Sequence, residues 1–403
     1  MKRILIFSLA YYPRFIGGDG VAIKEITNRI DPSDIEFHMV TSRFDSTLPK
    51  VEKIENVLVH RIGFSKQNPS MEDLKKFPLY YTKAMFQFSA AWKALSLHRT
   101  HKYDAIWAMM AHSGGVPAVI FKFIHPEIPY ILTLQEGDPP EYIERKMRPL
   151  WPLFSMTFTK ADIVQTISNF LAEWARQRGF KGPVEVIPNG FNTSNISKVY
   201  SEEELSVLKK KIDKKDGDIY LITVSRLVHK NAVDDVIGAL TLLPARVHLL
   251  VVGGGPDEKS LKELAVTLGV SGRVIFVGQV DTGETTKYRR ISDIFVRPSR
   301  SEGMGNSFVS TMAAGLPVIA TQEGGIADFL FDAKRNPDKP TTGWAVDKDS
   351  PEQIAETVKE ILAHPEEVKK VVETAKKFVS ENYDWDVIAK NMKEKIFERV
   401  FNK

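Results

Sequence analysis

Apolar residues along this chain fall into two spacings that take turns, and the alternation predicts a series of strand-helix units. Continuous apolar runs at Ile4 to Ser8, Ala105 to Met110, Tyr130 to Leu134 and Val184 to Ile187 fit strands buried on both faces. A second set, Ile219 to Val224, Val247 to Val252, Val274 to Val277, Ile294 to Val296 and Val318 to Ala320, repeats the pattern. Between them apolar residues recur at helical spacing, as in Ile23, Ile26 and Ile30, or Leu261, Leu264, Ala265 and Leu268 ahead of Gly269. Helices are also expected over Lys83 to His98, Asn169 to Arg178 and Val233 to Leu243.

Residues Asn192 to Asp218 are polar and lysine-rich, and no strand pattern resumes before Ile219. The domain junction is placed there. The expected fold class is α/β, with two doubly wound Rossmann-like domains facing a central crevice, 1–195 and 196–383. Near the end, Ser350-Pro351 starts a helix, and Trp385, Ile388, Met392, Ile396, Phe397 and Val400 give a last helix an apolar face that needs a partner.

The length of 403 residues suits two domains of that kind. With 43% hydrophobic and 26% charged residues the composition is that of a soluble globular protein. A formal charge of +4 is compatible with phosphorylated ligands or an anionic membrane surface, and is too small to argue for nucleic acid. The absence of cysteine excludes disulfides and thiolate metal sites and fits a cytoplasmic location. Met1-Lys2-Arg3 and the apolar residues after it superficially resemble a signal peptide, but Tyr11-Tyr12-Pro13-Arg14 stands where a cleavage site would need small residues, so the run is taken as a first strand.

Candidate chemistry gathers at the carboxyl ends of the expected strands, where loops and helix N-termini of a parallel sheet face the binding edge. Ser301-Glu302-Gly303-Met304-Gly305-Asn306-Ser307 opens a helix, a place that suits a phosphate. Glu302 there either complements the helix dipole or turns aside to accept from sugar or ribose hydroxyls; the stretch alone fits both. Arg226 and Lys230 follow Ile219 to Val224 and suit a diphosphate clamp, or a solvated loop. Gly253-Gly254-Gly255 ends the next strand. In the first half, Gly17-Gly18-Asp19-Gly20, His112, and Gln135, Glu136 and Asp138 occupy corresponding positions. His112 is a candidate base or acceptor-binding group, with local hydrogen bonding as the alternative. From Glu144 to Thr159 basic and aromatic residues interleave, which suits either a membrane-facing surface or core with a solvated edge.

Taken in order, Gly17-Gly18-Asp19-Gly20, Ser168-Asn169-Phe170, Val186-Ile187-Pro188-Asn189-Gly190, Ser225-Arg226-Leu227, Val252-Gly253-Gly254-Gly255-Pro256, Ser301-Glu302-Gly303 through Gly315-Leu316-Pro317 and Gly324-Gly325 resemble retaining glycosyltransferases of family 4, which have the two-domain GT-B fold. The resemblance implies an enzyme that moves a hexose from a nucleoside-diphosphate sugar, UDP- or GDP-linked, to a hydroxyl acceptor: a sugar, a glycan or a lipid-linked molecule. It implies an acceptor-binding first domain completed by a closing helix, 384–403, and a second domain that binds the donor. Glu302 takes the place of the first acid of the family's Glu-x7-Glu motif, which touches the donor sugar, and Arg226 and Lys230 match the basic pair that neutralises the leaving diphosphate, with the lysine shifted by one position and Asn231 sharing its role. Gly17, Gly18, Gly20, Gly254, Gly303, Met304, Gly305, Asn306, Ser307 and Ser310 fall on donor-side positions, and Gln135, Glu136 and Asp138 on the acceptor side.

Two positions depart from the family. Ser310 stands where the second acid, a ribose ligand, belongs, and Gln135 where a histidine is common. No metal or other cofactor is expected: Asp347-Lys348-Asp349 and Asp384-Trp385-Asp386 mimic a metal motif but adjoin helix starts. The departures keep a non-catalytic nucleotide-sugar binder open as an alternative, as does the shared fold for a nucleotide-sugar 2-epimerase. The expected location is the cytoplasm, with peripheral contact at the inner face of a membrane, and the sequence leaves the oligomeric state open.

Overall fold

In the computed structural model, which describes residues 1–15, 17–196, 198 and 200–402, the chain divides into two compact units. The first comprises Met1–Asn189 with Trp385–Lys403, and the second Gly190–Asp384. The first division lies a few residues ahead of position 195 because Phe191 donates its N–H to the Tyr383 carbonyl at 3.0 Å and bridges to Asp384, which ties both ends of the second unit together.

The first unit is built on eight strands: β1 Lys2–Phe7, β2 Ile35–Ser42, β3 Val51–Ile54, β4 Val57–Ile62, β5 Ala105–Met109, β6 Tyr130–Leu134, β7 Ile163–Thr166 and β8 Val184–Val186. They lie in the order β3-β4-β2-β1-β5-β6-β7-β8, all parallel except the β3–β4 hairpin. One face is closed by α1, Gly18–Thr27, and by the returning helical segment from Trp385 to Phe401. Ile388, Met392, Ile396 and Phe397 join Ile4, Ile6, Phe37 and Trp107 in one buried cluster, with the Phe397 ring 5.2 Å from that of Trp107. The apolar face of the last helix thus finds its partner, and burying four such side chains contributes on the order of 6–12 kcal/mol before entropy is counted. The opposite face carries α2, Leu79–His101, longer at both ends than its apolar spacing predicts.

The second unit has six strands: β9 Ile219–Val224, β10 Val247–Val252, β11 Val274–Gly278, β12 Ile294–Arg297, β13 Val318–Ala320 and β14 Trp344–Ala345. Their order is β11-β10-β9-β12-β13-β14 and every pairing is parallel. The order reverses direction at β9, so the loops after β9 and β12 are neighbours at a topological switch point, the place where such sheets hold ligands. The segment from Glu144 to Thr159 forms consecutive helical turns whose Met147, Phe154 and Phe158 are buried in the core, while Leu150, Leu153 and Met156 are half-buried and Trp151 and the cations lie at the solvated edge. Arg178 covers what remains, 4.4 Å above the Trp151 ring. Among the described residues no helix is long and apolar enough to cross a membrane.

A buried histidine in β4 makes the first unit acid-sensitive. Both ring nitrogens of His60 are enclosed without a hydrogen-bond partner, and burial, reinforced by His38, Lys93 and His101, pushes the imidazole down to about 4. The unfolded chain, with its histidine near 6.5, then binds more protons than the folded one, so stability is intact above that value and falls as pH drops toward 4. The expected loss is about 3 kcal/mol, with His38 lowered for the same reason and adding to the slope. Urea unfolding of His60→Phe at neutral pH and near pH 4.5 should show a shallower loss than the parent; an identical slope would place the sensitivity elsewhere.

Candidate active site

Beginning at the switch point of the second unit, the chain leaves β12 through Arg297, a charged residue ending an otherwise apolar strand. Arg297 is buried, and its guanidinium donates to Asn231 Oδ1 at 2.9 Å, to Ser307 Oγ at 2.7 Å and to the Glu302 carboxylate. Burial lowers the Arg297 pKa while Glu302 holds it up. The other Glu302 oxygen accepts from the Gly303 N–H at 3.1 Å. Glu302 is therefore 8% exposed and locked, by an arginine partner that the sequence did not reveal. Each carboxylate oxygen still has a second lone-pair direction for a hydroxyl.

The glycines around this loop have separate reasons. A Cβ at Gly324 would lie 2.0 Å from the Glu302 carbonyl oxygen, and Gly325 donates its N–H to that oxygen at 3.1 Å, so the Gly324-Gly325 pair clamps the loop from behind. A Cβ at Gly253 would lie 1.9 Å from the Ser225 carbonyl oxygen, which fixes the end of β10 against that of β9. Gly254 meets nothing of the chain nearer than Gln279 Cβ at 4.0 Å, so packing alone does not require glycine there. Gly305, in the left-handed region, precedes the helix Asn306–Ala313, whose N-terminus no side chain caps. Met304 and Gly303 are buried beneath it.

The cations expected to oppose a diphosphate are both on this edge. Arg226 is exposed, and Lys230 is half-buried in the short 3-10 turn His229–Asn231. The Lys230 carbonyl accepts the Arg300 N–H at 2.7 Å, and Arg300 reaches Asp234, Asp235 and Asp349, which joins the loop after β12 to that after β9. Burial pushes Asp235 up to about 6 despite Arg300. Asn231 is buried with its amide donating to the Arg226 carbonyl at 2.6 Å and its oxygen taken by Arg297. Its amide braces Arg226 and Arg297 within the unit. Ser310, half-buried, donates to the Asn306 carbonyl of its own helix at 2.8 Å. Asp349 pairs with Arg300 and Asp347 with Arg335, so these two acids of the metal-like triplet are ion-pair partners.

The first unit presents its own group of strand-end residues. Gly17 precedes α1, and Gly18 and Gly20 lie in its first turn. His112 sits on the π-turn Met110–Gly115 after β5, its Nδ1 3.5 Å from Glu136 Oε1 after β6. Glu136 is 2% exposed and accepts from the Ala111 N–H at 2.6 Å, while its other oxygen is buried without a partner. Asp19, which the sequence reading passed over, faces the same histidine: burial raises its carboxyl, against the pull of backbone N–H groups, His112 and Ser8. An imidazole beside the Glu136 carboxylate can orient a hydroxyl. Gln135 forms a reciprocal amide pair with Asn189, 3.2 and 3.1 Å, and has no basic atom. Asp138 lies exposed beyond it.

Arg297 and Asp19 are thus the site residues the sequence reading missed. A lone arginine closing a buried apolar strand was the available signal for the first. Nothing local distinguishes Asp19 from a helix-start acid.

Residues 206–378 match the family model for glycosyl transferases group 1, and residues 16–195 that for glycosyltransferase family 4. An uncharacterized glycosyltransferase of Methanocaldococcus jannaschii is 27% identical over 399 residues, 96% of each chain. A GDP-mannose-dependent alpha-(1-6)-phosphatidylinositol monomannoside mannosyltransferase of Mycobacterium tuberculosis is 28% identical over 57% of this chain and 60% of its own. Among solved structures, Anabaena HepE in complex with UDP and glucose superposes with a TM-score of 0.76 at 20% identity, covering 99% of this chain and 100% of that one.

Proposed function

The chain belongs to glycosyltransferase family 4, with the GT-B fold, and on that premise we propose that it moves a hexose from a nucleoside-diphosphate sugar to a hydroxyl acceptor with retention of configuration. The observation that carries the reading is the Arg297-Glu302 pair at the switch point of the second unit, beside Arg226 and Lys230. A carboxylate that a buried arginine holds in place is suited to bind sugar hydroxyls, while the two cations and the uncapped helix N-terminus offset a diphosphate. Relatives and neighbours name both GDP-mannose and UDP, so either base fits the reading.

In this reading the diphosphate leaves toward Arg226 and Lys230, and a leaving-phosphate oxygen takes the acceptor's proton on the same face of the sugar. Charge stabilisation and positioning then supply most of the rate. His112, beside Glu136, orients the acceptor side. A panel of labelled nucleotide sugars, followed by nucleoside diphosphate release with and without simple glycoside acceptors, tests the proposal. Release that yields only an epimerised sugar would replace it with the 2-epimerase reading. Tight binding without turnover would favour the non-catalytic binder, to which the Gln135–Asn189 pair and the helix-bonded Ser310 hydroxyl lend their weight.

The reading includes no metal, because the two cations already oppose the charge that a divalent ion would. Chelator should leave the release rate unchanged within about twofold, and a rate restored only by added magnesium or manganese would overturn this part.

A further inference from the structure

The inward face of α2 is the ordinary one for a helix on a sheet: Leu79, Phe86, Ala90, Ala94 and Leu97 are buried. Its outward face is apolar too. Tyr81, Met85, Phe88 and Trp92 recur at steps of four, three and four residues and so form one stripe, and they are 52%, 52%, 45% and 79% exposed. Phe77, just ahead of the helix, is 79% exposed. Soluble surfaces scatter large apolar side chains singly; a helical stripe of aromatic and methionine residues needs an occupant.

Charge identifies the occupant. From Leu74 to Tyr103 the chain contains no Asp or Glu, and it carries Lys75, Lys76, Lys83, Lys93, Arg99 and Lys102. A second copy would set this cationic segment against itself. An anionic layer with an apolar interior matches both features, since Trp and Tyr prefer the headgroup boundary and lysines attract its phosphates.

We propose that the outward face of α2 docks the protein in-plane on an anionic lipid surface, with Trp92, Phe88 and Met85 entering the headgroup-acyl boundary and Lys75 and Lys76 against the phosphates. The surface is distinct from the basic and aromatic segment Glu144 to Thr159, and the proposal does not depend on the transfer reading, because docking is measured without substrate.

The test is co-sedimentation with phosphatidylglycerol vesicles and with phosphatidylcholine vesicles. The parent chain should pellet with the anionic vesicles and at least about tenfold less with the zwitterionic ones. Phe88→Ser with Trp92→Ser, and separately Lys75→Glu with Lys76→Glu, should each lower anionic-vesicle binding about tenfold or more while thermal unfolding stays unchanged, since these side chains are exposed. Unaltered pelleting of both variants, or no binding to either vesicle, would overturn it. So would a dimer in sedimentation velocity that the Phe88/Trp92 variant dissolves, which would assign the stripe to a second copy.

Discussion

Glu302→Gln is expected to remove transfer and to destabilise the second unit together, by at least a thousandfold in rate and about 3–5 kcal/mol in unfolding free energy. The sequence alone suggests that a loop glutamate serves only the ligand and that the variant should unfold normally. The structure changes that expectation, because among the described residues the carboxylate is the anionic partner of the enclosed Arg297 guanidinium. Leaving a buried cation without its anion is costly, whereas replacing both members by uncharged residues of similar volume is often neutral. The double variant Glu302→Gln with Arg297→Met should therefore regain much of the stability and none of the turnover. Urea unfolding and nucleoside diphosphate release, measured on both variants, separate the two roles. A single variant as stable as the parent would mean that the pair is not enclosed, and retained turnover would remove Glu302 from the chemistry.

Arg226→Ala is expected to cost roughly 2–4 kcal/mol of transition-state stabilisation, about thirtyfold to a thousandfold in kcat/KM, without altering the unfolding curve. Its side chain is exposed, and what the unit uses structurally is its carbonyl, which holds the Asn231 amide and survives the substitution. Lys230→Ala should behave alike in rate, since the contact that fixes its position is again a backbone carbonyl, bonded to the Arg300 N–H. Asn231→Ala should differ in kind, losing stability as well, because both ends of its amide are engaged inside the unit. If Arg226→Ala and Lys230→Ala leave the rate intact, the diphosphate is held elsewhere.

The second unit was the more legible one, for a physical reason. Its strands, such as Tyr220 to Thr223 within β9, are enclosed on both faces and so appear as unbroken apolar runs. In the first unit β2 was overlooked because Ile35–Ser42 contains Glu36, His38 and Thr41. His38 is fully buried there and lies 2.8 Å from the Tyr103 hydroxyl, a partner more than sixty positions away that no local pattern supplies. The β3–β4 hairpin turns through Glu55 with φ of 50° and no glycine, so the usual turn signal is missing. At the site, the glycines and Glu302 could be read from the chain because backbone geometry restricts which residues such a loop tolerates. The Arg297 pairing could not, since it joins residues whose proximity only the folded sheet creates.

The return of the chain from Asp384 into the first sheet also sets a schedule for synthesis. Phe37, Trp107 and Ile4 acquire Met392, Ile396 and Phe397 as neighbours only after the whole second unit, Gly190–Asp384, has been made. At about 5–20 residues per second that interval lasts roughly 10–40 s. Throughout it the part of that sheet face not covered by α1 lacks its partner, a client for chaperones, while the later-made unit, contiguous in sequence, is free to fold first.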